Sequence, residues 1–415
     1  MAVKHAMYAQ SGGVTAVINA SACGVIETAR LYPQHIGKVY AAKDGILGAL
    51  QENLIDTNQE SAAAIAQLMH TPSGAFGSCR YKLKDQGDEY ARLLDVFKAH
   101  NIGYFFYNGG GDSQDTAHKI ATMSAALGHP ITCIGIPKTV DNDLPFTDTC
   151  PGFGSVAKYI AISTLEAGFD VASMAASSTK VFILEVMGRH AGWIAAASGL
   201  ASNSAAQPPH IILFPEVPFQ ETVFLQQVDY CVKQYGYCVV VVSEGIRNLA
   251  GQFLTDAGSR DAFGHAQLGG VAPLLAQLIK QQLKLKYHWA VADYLQRAAR
   301  HIASAVDLEQ AYALGKAAVE LAINGHNAIM PILVREQNLP YRWSISHVPL
   351  SAVANQEKPM PKEFISANGM HITPACRQYL TPLIQGEAYP PYTNGLPDYV
   401  RLKNQLVEKK LAAFG

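Results

Sequence analysis

The stretch Gly135-Ile136-Pro137-Lys138-Thr139-Val140-Asp141-Asn142-Asp143 places one lysine and two carboxylates within six positions, directly after an apolar run from Ile131 to Ile136. A cation, an acid that can accept a proton and a second acid near a metal are the parts that phosphoryl transfer to a hydroxyl requires. Pro137 fixes its own φ and has no N–H, so it ends a strand and turns the chain. The polar residues then stand at the strand's carboxyl end, where open α/β sheets bind ligands. An acidic turn beside a solvated lysine has the same composition, and Asp-Asn-Asp alone does not separate the two readings.

Two glycine turns bear on the choice. Ser11-Gly12-Gly13 and Asn108-Gly109-Gly110-Gly111-Asp112-Ser113 each follow a strand-like run and precede a helix-like one. Glycine lets backbone N–H groups approach an anion, and the following helix N-terminus adds partial positive charge. Neither turn is a P-loop or a dinucleotide fingerprint, since Gly-Lys-Ser/Thr and Gly-x-Gly-x-x-Gly are both absent. Either alone reads equally as a tight turn; with a lysine at a third strand end they point to a polyphosphate site. In Gly77-Ser78-Cys79-Arg80-Tyr81-Lys82 two cations stand two residues apart. On an extended segment they point the same way, as anion ligands or as a solvated basic loop. Asp112 is discordant, because an acid in a phosphate cradle repels its ligand unless a metal intervenes.

These residues need strands to position them. Strand-like runs occur at Val3 to Ala9, Ile102 to Tyr107, Val181 to Val186, His210 to Phe214 and Tyr237 to Val242, with helix-like stretches between. Such alternation predicts parallel sheets covered on both faces. Pro151-Gly152-Phe153-Gly154 marks a change of domain before a long helix from Ser155 to Phe169. Residues 267–324 read as helical, and the tail from Pro331 as irregular, becoming helix-like from Tyr399 onward.

Hydrophobic residues make up 49% of the 415 and charged residues 16%, enough for a large core. A net charge of −1 excludes a globally basic nucleic-acid binder. Seven scattered cysteines lack zinc spacing, and with no secretory signal they predict reduced thiols in a cytoplasm. No apolar run reaches membrane-span length, roughly 18 residues.

Taken in order, Ser11 to Gly13, Gly77 to Arg80, Gly109 to Ser113, Pro137 to Asp143, Met187-Gly188-Arg189-His190-Ala191-Gly192 and Ser243-Glu244-Gly245 resemble the phosphofructokinase superfamily, from the first strand to about residue 325. Lys138 and Asp112, where nucleotide-using relatives carry glycine, make the resemblance one to its pyrophosphate-dependent branch, as does Tyr294-Leu295-Gln296-Arg297. The resemblance implies an α/β fold of two Rossmann-like three-layer lobes with mostly parallel sheets, the site in the cleft between them, and a helical and irregular C-terminal extension. The donor lobe would comprise 1–152 with about 267–325. The sugar lobe would comprise 153–266 with about 326–415. The activity implied is reversible Mg²⁺-dependent phosphoryl transfer from pyrophosphate to the 1-hydroxyl of fructose 6-phosphate, a step of glycolysis and gluconeogenesis. An ATP-dependent enzyme and a non-catalytic regulatory subunit are the alternatives.

By the same resemblance Asp141 is the base, with Lys138, Asp112 and Arg189 as its catalytic partners. Gly12, Arg80, Lys82, Gly110, Gly111 and Ser113 would hold pyrophosphate. Thr139, Val140, Asp143, Met187, Gly188, Arg189 and Glu244 would hold the sugar, and Tyr294 and Arg297 its 6-phosphate. Asp112 and Asp143 are the metal candidates, because Gly111 stands where the family usually carries an aspartate. Lys180 replaces an arginine that reaches the neighbouring subunit's sugar site, which implies a homodimer or homotetramer. Lysine lacks the bidentate fork. His265 lies near a family substrate histidine, and Leu268 replaces the arginine expected after it.

Overall fold

The computed structural model describes residues 3–84, 88–255 and 268–414. His265 lies outside them. Eleven strands carry the architecture: β1 (Lys4–Gln10), β2 (Ile36–Ala42), β3 (Leu54–Asp56), β4 (Ile102–Gly109), β5 (Thr132–Pro137), β6 (Val181–Val186), β7 (Ile211–Leu213), β8 (Cys238–Ser243), β9 (Tyr287–Val291), β10 (Ile329–Asn338) and β11 (Tyr341–Pro349). They form a seven-stranded sheet in the order β11-β10-β5-β4-β1-β2-β3 and a four-stranded sheet in the order β7-β8-β6-β9. Among these eleven strands the pairings are parallel except β2 with β3 and β10 with β11.

The central strands are apolar because helices cover both faces. β8 reads Cys-Val-Val-Val-Val-Ser and is buried throughout. β-Branched side chains suit that setting, and each one fully buried contributes roughly 1.5–3 kcal/mol. The helices Ile18–Leu31 and Ala305–Ile323 cross on the larger sheet at Gly24 and Gly315. A Cβ on Gly24 would stand 2.3 Å from the Tyr312 carbonyl oxygen, and one on Gly315 2.2 Å from that of Ser21. Only glycine permits this backbone approach.

Parallel register aligns the strand ends. Gln10 lies opposite Asn108, and Asn108 opposite Ile136, so the loops after β1, β4 and β5 emerge side by side. In the smaller sheet Val186 lies opposite Ser243 and Glu185 opposite Val291, which brings together the loops after β6, β8 and β9.

Three segments differ from the sequence reading. Within the stretch read as helical, Tyr287 to Val291 forms β9, because its aromatic and β-branched residues pair with β6. The tail is not helical from Tyr399. It runs extended, bridging Ile55 through Leu406, and its backbone bonds the edge of β3 rather than itself. The prolines at 331, 340 and 349 hide a long hairpin, β10–β11, within a stretch read as irregular. Sheet membership follows these pairings. β9 and the helix Val271–Leu283 belong with the smaller sheet, although 267–325 was expected beside the larger one. β10 and β11 complete the larger sheet, although 326–415 was expected with the other lobe, because β10 docks on β5 at Ile329–Ile134. Met360, Ile372, Cys376, Leu380 and Leu383 share a core cluster with Leu184 and Val186 of β6. Among the described residues no helix is long and apolar enough to cross a membrane.

Candidate active site

The aligned loops of both sheets surround one cleft of about 920 Å³. It brings together Gly12, Arg80, Gly110, Gly111, Asp112, Ser113, Lys138, Thr139, Val140, Asp141, Asp143, Met187, Arg189, Glu244, Tyr294 and Arg297 from the sequence reading. It leaves out Lys82, Lys180 and Gly188.

On one wall Lys138, 4% exposed, donates to the carbonyl oxygens of Ser11 and Gly13, each at 2.6 Å. Burial, with the facing Arg297 and Arg80, lowers its pKa to about 7. The glycines are what let these cations in. A Cβ on Gly13 would meet Arg297 Nη1 at 2.6 Å, and one on Gly12 would lie 3.4 Å from Lys138 Nζ. The guanidinium of Arg297 rests on the Tyr294 ring, 3.8 Å from its centroid. Arg297, expected on the sugar's 6-phosphate, thus stands with Arg80 and Lys138. The Gly12 N–H was expected to face an anion, but it donates to the Cys79 carbonyl at 2.9 Å, and Ser78 Oγ donates to the Gly12 carbonyl at 2.8 Å. These bonds stitch the Arg80 loop to the first glycine turn.

The helix Gly111–Ala126 starts at the cleft, with the N–H groups of Gly111 and Asp112 ahead of the first turn bond, which Ser113 N–H makes to the Gly110 carbonyl at 3.0 Å. Asp112 sits in that first turn and is ion-paired with Lys82 at 3.1 Å, both side chains partly exposed. Lys82 thus touches a cleft residue without lining the cleft itself.

On the opposite wall the turn after β5 aims two carboxylates inward. Thr139 Oγ1 accepts the Asp141 N–H at 3.1 Å, and its hydroxyl donates to Asp143. Asn142 has φ +54° and points away from the cleft. Its carboxamide accepts the Cys150 N–H at 3.0 Å and donates to the Tyr379 hydroxyl at 2.9 Å. Removal from water raises the Asp141 pKa to about 7, with Asp143 and Glu244 adding to the effect and Arg189 and Lys138 opposing it. Asp143 and Glu244 are raised too, chiefly by burial. Gly188 packs behind this wall at φ +134°, its carbonyl accepting the Ser243 hydroxyl at 2.5 Å. Lys180 precedes β6 at the end away from the cleft, its ammonium on the Ala175 carbonyl.

A carboxylate that titrates near neutrality and faces a cluster of cations can take a proton from a hydroxyl while an anion is held opposite. Among the described residues no three His, Cys, Asp or Glu side chains form a metal-binding group. Mg²⁺ needs only one or two carboxylates plus phosphate oxygens. Asp143 beside Asp141 fits a cation that arrives with a phosphate anion, whereas Asp112 already has Lys82.

Charged cleft residues that escaped the sequence reading are Glu185, Asp293, Glu357 and Lys358. Glu185 on β6 accepts the N–H groups of Gly270 at 3.0 Å and Ala272 at 2.8 Å, and a lone acid in an apolar strand was its signal. Glu357 and Lys358 come from the irregular C-terminal stretch, where no pattern marks them.

A family model described as Phosphofructokinase matches residues 5–322. The chain is 66% identical to the pyrophosphate–fructose 6-phosphate 1-phosphotransferase of Methylococcus capsulatus, covering 100% of this chain and 99% of that protein. It is 62% identical to the protein of the same name from Halomonas elongata, over 100% of both. A crystal structure of the pyrophosphate-dependent phosphofructokinase from Marinobacter aquaeolei superposes with a TM-score of 0.92 at 65% identity, over 99% of each chain.

Proposed function

The chain belongs to the phosphofructokinase family, and on that premise we propose that it catalyses reversible, Mg²⁺-dependent phosphoryl transfer from pyrophosphate to the 1-hydroxyl of fructose 6-phosphate, giving fructose 1,6-bisphosphate and phosphate. Full-length similarity to proteins of that name carries the reading, and Lys138 and Asp141 lining one cleft agree with it. Asp141 takes the hydroxyl proton. A base titrating near the working pH combines availability with proton affinity. Lys138, Arg80 and the start of the helix Gly111–Ala126 hold pyrophosphate, and the ammonium of Lys138 receives the charge that develops on the leaving phosphate. One unit charge about 4 Å from another is worth up to about 4 kcal/mol at an effective dielectric near 20. Arg189, Glu244, Thr139 and Met187 orient the sugar, and Arg297, stacked on Tyr294 beside Arg80 and Lys138, adds to the cations that receive phosphate charge. Bound Mg²⁺, with Asp143 as its protein carboxylate, shields phosphate charge. In this reading the larger-sheet lobe takes the donor and the smaller-sheet lobe the sugar, in a cytoplasmic homodimer or homotetramer.

The deciding assay supplies purified protein with fructose 6-phosphate and Mg²⁺ and compares pyrophosphate with ATP. Turnover with pyrophosphate, and little with ATP, is expected. The reverse preference would overturn the donor assignment, and no turnover with either would leave the regulatory-subunit reading.

A further inference from the structure

We propose that the chain beyond β11 is a positioning frame for the active site, with Lys358 fixing the turn that carries Asp141 and Asp143, and Asn404 fixing the loop that carries Arg80. The proposal rests on the phosphoryl-transfer reading above. Both residues lie outside the 5–322 span of the family model.

Lys358 reaches the acidic turn with backbone and side chain. Its N–H donates to the Asp143 carbonyl at 2.6 Å. Its ammonium donates to the Thr147 and Asp148 carbonyls at 3.0 Å each and to Asn142 Oδ1 at 3.4 Å, and lies 5.3 Å from the Trp193 ring centroid. These carbonyl dipoles tie the ammonium to the residues that follow Asp143. From the helix Pro374–Leu380, the Tyr379 hydroxyl accepts from Asn142 at 2.9 Å and donates to the Asp148 carbonyl at 2.6 Å. The turn is thereby clamped from two sides by chain that follows residue 349.

Asn404 lies in the extended tail. Its N–H donates to Glu60 Oε1 at 3.0 Å and its carboxamide donates to the Ala75 carbonyl at 3.2 Å. From the core side, Asn19 Oδ1 accepts the Ala75 N–H at 2.9 Å. Residue 75 is thus held between core and tail. Five residues on stands Arg80, with Ser78 and Cys79 bonded to Gly12 on the way. The tail is itself anchored where Glu52 accepts the Lys410 and Leu411 N–H groups at 2.6 and 3.1 Å.

The two arms serve different steps, so their variants should differ kinetically. Misplacing a reacting group by about 1 Å costs roughly 10²-fold. Lys358→Met should therefore lower kcat by about that factor while both KM values move less than about threefold, and Lys358→Arg should recover part of the loss. Losing one neutral hydrogen bond is worth about 1 kcal/mol, roughly fivefold. Asn404→Ala should raise KM for pyrophosphate by about that factor and leave kcat and the KM for fructose 6-phosphate unchanged. Tyr379→Phe keeps the ring and tests the acidic turn if Lys358→Met does not fold. Amide hydrogen exchange reports positioning whatever the reaction is. It should rise over residues 139–150 in the Lys358 and Tyr379 variants and over 74–82 in Asn404→Ala. Inactive wild type with these exchange changes would sink the reaction but not the frame. Variants that shift all kinetic parameters in parallel, or exchange unchanged in both loops, would overturn the frame.

Discussion

On the proposed reading, Lys138 and Asp112 would divide donor choice between them. On that reading Asp112, ion-paired with Lys82, is an acid where a nucleotide's α-phosphate would lie, and it would repel ATP. Pyrophosphate is shorter, escapes that clash, and needs Lys138 on its leaving end. Asp112→Gly should admit ATP weakly, and Lys138→Gly should depress pyrophosphate turnover by roughly 10²–10³-fold. The double variant should shift preference furthest toward ATP, as read from kcat/KM for both donors across the four proteins. The proton on Lys138 sets a pH limb as well. Its pKa is lowered to about 7, so the ammonium is lost as pH rises through that value, and a bound anion counteracts the loss. For pyrophosphate, kcat/KM should fall above about pH 7 and kcat only at higher pH; coincident limbs would assign the limb elsewhere. Asp141→Asn should lower turnover by about 10²–10⁴-fold with sugar affinity, measured by calorimetry, nearly unchanged. Residue types and spacing made Lys138, Asp141 and Asp143 legible in the sequence. That Gly12 bonds Cys79 and that Arg297 stands beside Gly13 were not, because both follow from how distant segments pack.

Buried carboxylates on one element fix the starts of others. Asp307, in the helix Ala305–Ile323, accepts the Gly152 and Ser155 N–H groups at 2.9 Å and the Ser155 hydroxyl at 2.6 Å. It thereby caps the helix Phe153–Met174, which opens the second lobe, from a helix packed on the first. Asp307→Ala leaves those donors buried and should cost about 2–3 kcal/mol, read as a lower urea midpoint. A midpoint within error of wild type would mean that water replaces the cap. Elements with strong periodicity and clean ends, such as Val181 to Val186, were readable to the residue. β9 was not, since five residues between helices carry little pattern. The tail was misread because its composition permits a helix, while Glu52 and the β3 edge offer its backbone partners that no local rule foresees.

Two sheets drawn from the whole chain meet at one cleft, and each alone lacks half of the groups. Alternating strands and helices foretold parallel sheets and the family resemblance implied two lobes about a cleft, but neither told which strands each sheet recruits, because β10 skips from residue 329 back to β5. Phe169 and Leu295, 70% and 67% exposed, leave apolar surface on the lobe that carries Lys180. Sedimentation should show a dimer or larger assembly, and Lys180→Glu should raise KM for fructose 6-phosphate more than for pyrophosphate. A fully active monomer would contradict both. The late strand has a further consequence during synthesis. At about 5–20 residues per second, the ribosome takes roughly ten to forty seconds to pass from β5 to β10. Through that interval the nascent chain carries an uncovered sheet edge, the kind of surface on which chains associate. Lys358 and Asn404 emerge later still. A product of interrupted translation therefore holds nearly every reacting group and none of their final bracing, and it should sediment with chaperones rather than compete with finished protein for substrate.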